Sequence, residues 1–486
     1  MSQQLVFSFK KEIYFTEQPE VEALVLESSD YRLTFNSKKC GLKMAFHCLA
    51  NEGASIEKLN SWVQGDEGIF AVLKFYSYLQ RFSYLGWLCH SVYAEELLIA
   101  TAVPIAINNQ FADTIISAKS RYILSRFAYI HQVEGQMILE SPLSKMQVHL
   151  FNWQGVAVLA QLAQPCNYTE LATQIPSISV DTAEQLLSLL MNAQMLSEVS
   201  SDGNILEETN CGFAQWEFHD LLFHTRSRIG RHSNPVGGTY RFFGKIDPLP
   251  AVKPRMSDDV IKLYKPDLES LKNIDFSFTQ VLESRKSIRV YGKKPITAQQ
   301  LGEFLYRTAR VKEVIQTKRG EIASRPYPSG GALYELELYL VINQCQDIPS
   351  GLYHYDPLEH QLCLLSEKTE TVEALIRDIS QPMRQQDLPQ VLIVIAARFQ
   401  RVAWKYESIA YSIILKHVGA LYQTMYLVAT AMDLAPCGIG AGNSDQFAEA
   451  SGCDYYAETS VGEFALGSKL NTQSCLKSFY EKKKAG

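Results

Sequence analysis

Ser284-Arg285-Lys286-Ser287-Ile288-Arg289-Val290-Tyr291 is the stretch on which the fold turns. It sets two guanidiniums, an ammonium and hydroxyls side by side, ahead of Val290-Tyr291. A terminal phosphate wants that composition, because Arg offers its oxygens two parallel N–H groups and Ser adds a further donor. A basic run alone is more often a solvated face, so its meaning depends on the segments downstream of it. These are Arg325-Pro326-Tyr327-Pro328-Ser329-Gly330-Gly331-Ala332-Leu333-Tyr334 and Cys437-Gly438-Ile439-Gly440-Ala441-Gly442. In the first, paired glycines after Pro-Ser let a backbone approach a flat ligand closely, since no Cβ intervenes; a plain tight turn explains them equally well. The second can present backbone N–H groups to a ligand. It comes after a helix rather than a strand, so the dinucleotide fingerprint does not apply.

Around these motifs, periodicity predicts a helix carrying Thr297, Leu301, Phe304 and Leu305, strands over 336–343 and 390–398, a long helix over about 406–432 and a strand ending at Leu466. Mixed order of this kind is α+β rather than a doubly wound parallel sheet. Upstream, 201–268 is punctuated by Asn234-Pro235-Val236-Gly237-Gly238 and by Leu249-Pro250-Ala251-Val252-Lys253-Pro254, where prolines disfavour helix and mark a boundary. The front half carries one pattern twice. A short helix at 42–50, a second from Ser55, and an amphipathic helix with Ile69, Leu73, Tyr76 and Leu79 on one face lead to a strand at Glu96–Ala100. The second copy has helices at 154–164, at 168–172 and from Asp181, whose spacing to Glu184 is that of a capping box. Leu186, Leu189, Leu190 and Met191 form the buried face of that third helix, and 195–199 reads as the strand of a wing. Each copy is winged-helix-like. The expected domains are 1–115 and 116–210 (winged-helix-like), 211–269 (connector) and 270–486 (the motif-bearing domain).

The totals fit this division, since single cores rarely exceed about 250–300 residues and the chain has 486. Hydrophobic residues at 47% and charged residues at 20% are ordinary for a globular protein. A net charge of −6 disfavours a dedicated nucleic-acid binder, which usually shows a basic domain. The winged helices agree: the long helix of the first copy offers only Lys74 and Arg81, and that of the second has no Lys or Arg. Ten cysteines are scattered without a CxxC pair, with Cys48, Cys363 and Cys437 among apolar neighbours, so reduced thiols and no metal site are expected. Met1-Ser2-Gln3-Gln4 shows no signal peptide, and the apolar run Val391–Ala397 is too short to span a bilayer. The expectation is a cytoplasmic location without membrane contact.

Trp404-Lys405-Tyr406-Glu407 enters the long helix. By itself it reads as a surface lysine beside a core tyrosine. Taken in order, however, the three motifs resemble the nitroreductase superfamily over the last 220 or so residues. Within it, Gly351-Leu352-Tyr353-His354-Tyr355-Asp356-Pro357, the segment Phe218–Arg228 and the Lys405-Tyr406 pair resemble the SagB/McbC-type azoline dehydrogenases. The two front repeats and the length are similar to the cyanobactin thiazoline oxidases in particular. The resemblance implies an FMN cofactor whose phosphate is held by Arg285 and Ser287, with Arg289 at the ribityl or pyrimidine side. Pro328, Ser329 and Gly330 would approach the isoalloxazine, Gly438 and Ile439 would supply N–H groups near its N5 and O4, and Lys469 would stand as a late basic phosphate ligand. Lys405 and Tyr406 would be catalytic.

It further implies a homodimer with FMN at the subunit interface, an azoline-containing precursor peptide as substrate, and oxygen as electron acceptor. Aromatising a thiazoline removes two electrons and two protons, one of which needs a base. Lys and Tyr ordinarily titrate near about 10, but adjacent and partly desolvated they can share a proton. Two other readings stay open: a general NAD(P)H-dependent nitro- or quinone reductase, and a catalytically idle peptide-binding protein. His417, three turns along from Tyr406, is not taken as catalytic; His219 and His224 are candidates for lining the substrate entrance and stay outside the site.

Overall fold

Leu336–Ile342 and Val391–Arg398, the two most apolar runs of the motif-bearing half, pair as central strands in the computed structural model. The structure describes residues 5–36, 40–109, 114–379 and 388–470. It divides into two compact units, Met1–Asn234 and Pro235–Gly486.

In the second unit a seven-stranded antiparallel sheet has the order Val260–Lys262, Gln361–Glu367, Gly351–Asp356, Leu336–Ile342, Val391–Arg398, Glu458–Ser468, Leu434–Ile439. Leu336, Leu338 and Leu340 join Val391, Ile393 and Ile395 in one core, while Tyr339, Val341, Leu392 and Val394 belong to another on the opposite face. Strands covered on both faces read as continuous apolar runs, which is how these two stand out in the sequence. The first face is covered by the helices Ala298–Ala309 and Ala410–Ala431, the second by Glu370–Asp378 and Ser444–Ser451. Thr297 and Gln300 close a capping box at the first of these helices, satisfying N–H groups that have no partner inside it. The architecture is α+β.

In this unit the structure corrects two expectations. The long helix begins at Ala410 rather than near 406, because Ser408 takes φ 60° and breaks the turn after the short helix Phe399–Ala403. Cys437-Gly438-Ile439 is not a loop after a helix: it lies in the edge strand Leu434–Ile439, and the loop starts only at Gly440. Asp433, at φ 51°, makes the reversal that turns helix into strand within two residues.

In the first unit three helices, Cys40–Asn51, Ile56–Glu67 and Ile69–Tyr84, lead into the hairpin Leu88–Ala94/Leu97–Pro104. Three more, Trp153–Gln161, Tyr168–Gln174 and Val180–Asn192, lead into Leu196–Val199, which pairs with Arg121–Leu124. Both copies of the helix–helix–helix–wing pattern are therefore present. They share one seven-stranded sheet, since Leu97–Pro104 pairs with Met146–Leu150. The buried stripe of Ile69–Tyr84 is Ala71, Val72, Phe75, Leu79 and Phe82. Of the face expected there only Leu79 is buried, and Ile69, Leu73 and Tyr76 are exposed, because this helix has apolar residues at helical spacing on two sides. Val180–Asn192 is capped by Ser179, not Asp181; the capping box of this region is Asn167–Glu170, one helix earlier. Phe218–Arg226, expected as connector, is a nine-residue helix.

Cys48, Cys363 and Cys437 are buried, and all nine described cysteines are free. Cys475 and the first four residues lie outside the described residues. Among the described residues no helix is long and apolar enough to cross a membrane, and no cluster of His, Cys, Asp and Glu is placed to hold a metal ion.

Candidate active site

The helix Phe278–Ser284 ends where the basic motif begins, and the chain then runs extended along the free edge of Leu434–Ile439, with Ile288 N–H donating to the Pro436 carbonyl at 2.8 Å. An extended chain sends successive side chains to opposite sides. Arg285, Ser287 and Arg289 fall together on one side. The Arg285 guanidinium lies 5.2 Å above the Tyr426 ring, and Ser287 Oγ is 2.7 Å from Tyr426 Oη. The same phenol oxygen accepts the Gly438 N–H at 2.7 Å. Burial pushes the Cys437 thiol up, against the pull of the neighbouring Arg289 guanidinium. Two guanidiniums, a hydroxyl and a phenol thus meet on one strand edge, a donor set suited to a phosphate monoester.

Ser284, Lys286 and Ile288 fall on the other side, lining a cavity with Thr430, Pro436 and Lys469. Lys469 is placed in this second set, with its ammonium 2.5 Å from Asp433. The alternation of the extended chain separates the proposed late phosphate ligand from the Arg285 side.

The Pro-Ser-Gly-Gly segment meets the Lys-Tyr pair. Gly331 has φ 67°, and a Cβ built on it would overlap Lys405 Nζ and lie 2.8 Å from Tyr406 Oη. Ala332 and Tyr334 also take positive φ, 55° and 48°. Left-handed non-glycine residues are uncommon and collect at functional sites, where surrounding structure holds them. Lys405 and Tyr406 sit in the turn between the helices Phe399–Ala403 and Ala410–Ala431. Residues 235–246 zip onto that turn: Gly237 and Glu407 exchange backbone hydrogen bonds, Tyr240 N–H donates to the Lys405 carbonyl, and Trp404 Nε1 donates to the Ile246 carbonyl. Lys405 Nζ stands 5.3 Å from the Tyr406 ring centre and 5.5 Å from that of Tyr240, so the ammonium lies between two phenols.

Its sequence setting marks His417 as structural, yet it supports the glycine segment directly. Its Nε2 accepts the Gly330 N–H at 2.5 Å, and its Nδ1 is 2.7 Å from Glu335 Oε1. A backbone N–H can only donate, so Nε2 carries no proton and Nδ1–H donates to the carboxylate, which fixes the tautomer. Glu335 is fully buried. Two residues on, buried Glu337 is 3.4 Å from Arg398 and 3.2 Å from His354. Burial works to raise the Glu337 carboxyl, and His354, Arg325 and Arg398 outweigh it and hold it low. Removing one partner of such a group would strand a buried charge, so the network pins the chain just beyond Ser329–Tyr334. His417, Tyr240 and Tyr426 carry no local motif; only their spatial neighbours mark them.

Residues 282–468, which hold the basic motif, the glycine segments and the Lys-Tyr pair, match the model of the nitroreductase family. In front of it, residues 1–112 match the model of the ThcOx helix-turn-helix domain, and residues 122–233 match the model described as cyanobactin oxidase ThcOx. A nitroreductase-type protein of Methanocaldococcus jannaschii is 26% identical over 183 residues, covering 38% of this chain and 85% of its own. The microcin B17-processing protein McbC of Escherichia coli is 31% identical over 128 residues, 25% of this chain and 46% of McbC, so the match spans less than half of that relative. Among solved structures, the E. coli microcin synthetase McbBCD complex with truncated pro-MccB17 bound contains a chain 21% identical, with a TM-score of 0.33, covering 51% of this chain and 90% of that one.

Proposed function

We propose that this protein is an FMN-dependent oxidase that converts thiazoline or oxazoline rings in ribosomally made peptides to thiazoles or oxazoles. The observation that carries the proposal is the convergence of Lys405 Nζ and Tyr406 Oη on the side-chain-free backbone of Gly331. The similarity to ThcOx and to a microcin-processing protein supports the substrate class. The bound flavin would supply the electron sink, taking the hydride that leaves the ring. Arg285 and Ser287 would hold its phosphate and Arg289 the adjoining polyol, which their donor chemistry suits. Gly438 and Ile439 would line the flavin edge, and Pro328, Ser329 and Gly330 would lie along its plane. Lys405 and Tyr406 would be the catalytic pair, standing where the ring loses its proton as the hydride departs.

A homodimer accompanies this reading. A second copy would bring the Lys-Tyr end of one chain to the phosphate cluster of the other. Ile274, Phe276, Phe278 and Leu282 are exposed beside the motif and give such a partner an apolar surface. The winged-helix-like first unit would hold the precursor peptide, oxygen would be the final electron acceptor, and the setting would be cytoplasmic. Mass spectrometry of an azoline-bearing peptide after incubation tests the proposal: loss of one hydrogen molecule per ring is expected, and an unchanged peptide with a flavin-loaded protein would refute it.

A further inference from the structure

We propose that Tyr240, not assigned to the site by any motif, is a further catalytic residue, the atom that receives the ring proton being its phenolic oxygen. This rests on the azoline-oxidase reading of the same site.

Tyr240 is half-buried at φ 54°, a left-handed backbone that an aromatic residue adopts only under constraint. The constraint is visible: its N–H donates to the Lys405 carbonyl at 3.1 Å, and its ring meets the Trp404 indole edge-on at 5.8 Å. Lys405 Nζ stands over one part of the ring, and the Arg319 guanidinium lies 4.1 Å from its centre. Arg319 sits in the two-residue turn of the hairpin Glu313–Thr317/Gly320–Ser324. Of the remaining charges nearby, Arg241 is turned to Glu407 at 3.7 Å, which also accepts from Thr239.

Tyr240 therefore faces two cations. Tyr406 faces the shared ammonium, with no guanidinium over its ring among the described residues. Partial burial works to raise the Tyr240 phenol, but hydrogen bonds and charge from Arg319 and Lys405 outweigh it and hold it below the ordinary tyrosine range. Of the two phenols that share the ammonium, Tyr240 has the additional guanidinium at its ring, which favours its charged form. Tyr240 is then the one available as phenolate, and Tyr406 orients Lys405 from the other side. One ring C–H bond would release its proton to the Tyr240 oxygen, its electron pair would form the new ring double bond, and the hydride leaving the neighbouring carbon would need the electron sink that a bound flavin supplies.

The test uses the full-length, flavin-loaded chain in two measurements. A difference titration of the tyrosinate ultraviolet band, wild type against Tyr240→Phe, should show one phenol titrating below the ordinary value near about 10. In Arg319→Gln, which keeps the phenol and removes one cation, that titration should move to higher pH. On an azoline peptide the acid limb of kcat/KM should move with it, and Tyr240→Phe should lose about 10²–10⁴-fold. Absence of the low titration, or a Tyr240→Phe enzyme with wild-type rate and acid limb, overturns the base assignment alone. A wild type that shows the low phenol but is inert toward azolines overturns the oxidase reading, and the base role with it. If Tyr240→Phe fails to fold, the Arg319→Gln shift decides, and an unmoved limb there overturns the proposal.

Discussion

Gly331→Ala puts a single methyl group at the junction of the site. Its Cβ would overlap Lys405 Nζ and lie 2.8 Å from Tyr406 Oη and 3.0 Å from Lys405 Cε, all closer than carbon tolerates. The backbone is at φ 67°, where an L side chain costs roughly 1–2 kcal/mol. Lys405 is the flexible partner, so it yields first and its ammonium leaves the position between the phenols of Tyr240 and Tyr406. The fold loses little more than the backbone term, which corresponds to a melting temperature about 2–8 °C lower for a unit of this size. Catalysis loses much more, because a reactive group displaced by about 1 Å typically costs 10²-fold. The expected outcome is a folded protein with unchanged flavin absorbance and an azoline oxidation rate down by about two orders of magnitude, measured by mass spectrometry alongside thermal melts. A Gly331→Ala protein oxidising azolines at the wild-type rate would refute the convergence of Lys405 and Tyr406 on this backbone as the reactive centre.

Arg285→Ala should weaken flavin binding by about tenfold to a hundredfold, the loss of one charge-assisted contact worth roughly 1.5–3 kcal/mol, and equilibrium dialysis measures it directly. Unchanged affinity would remove Arg285 from the phosphate site. Tyr406→Phe and Lys405→Ala should each lower azoline oxidation by about 10²–10⁴-fold while leaving flavin spectra intact. If they act as a unit, the double variant is no worse than either alone; independent, multiplying losses would argue for separate roles. Glu463 is buried against Gly442, and burial pushes its carboxyl up to about 7 from the ordinary 4.5, opposed only by a hydrogen bond from Ser460. The folded protein then holds a proton there that the unfolded chain has released. This contribution to stability is present below the unfolded value and lost as pH rises through about 7. Glu463→Gln should therefore leave acid stability unchanged and raise stability above neutrality by up to about 3 kcal/mol, read from melts across the pH range. Parallel melting profiles for the two proteins would contradict a proton held by Glu463.

Much of the frame is legible in the residues because its causes are local. The strands Leu336–Ile342 and Val391–Arg398 announce themselves by unbroken apolar runs, and Thr297 with Gln300 marks a helix start within four residues. The Arg285–Arg289 motif stands out because it gathers two guanidiniums and a hydroxyl in one short segment, which an extended chain turns to one side. Where local patterns admit two answers, the sequence misleads: Ile69–Tyr84 has apolar residues on two sides, and only packing decides that Phe75 and Phe82 face inward while Leu73 stays exposed. Cys437-Gly438-Ile439 likewise reads as a glycine loop until its pairing with Glu463, Phe464 and Ala465 makes it a strand. The site beyond its motifs belongs wholly to the tertiary structure. Tyr240, Arg319, Gly331 and Lys405 come from four separate segments, and His417 reaches Gly330 across 87 positions. No periodicity or spacing links such residues, because the energy that gathers them is the burial of the sheet and helices between them. The sequence by itself determined the central strands, the main helices and the basic Arg285–Arg289 motif; the packed fold alone decided which phenols share the lysine and which histidine carries the glycine turn.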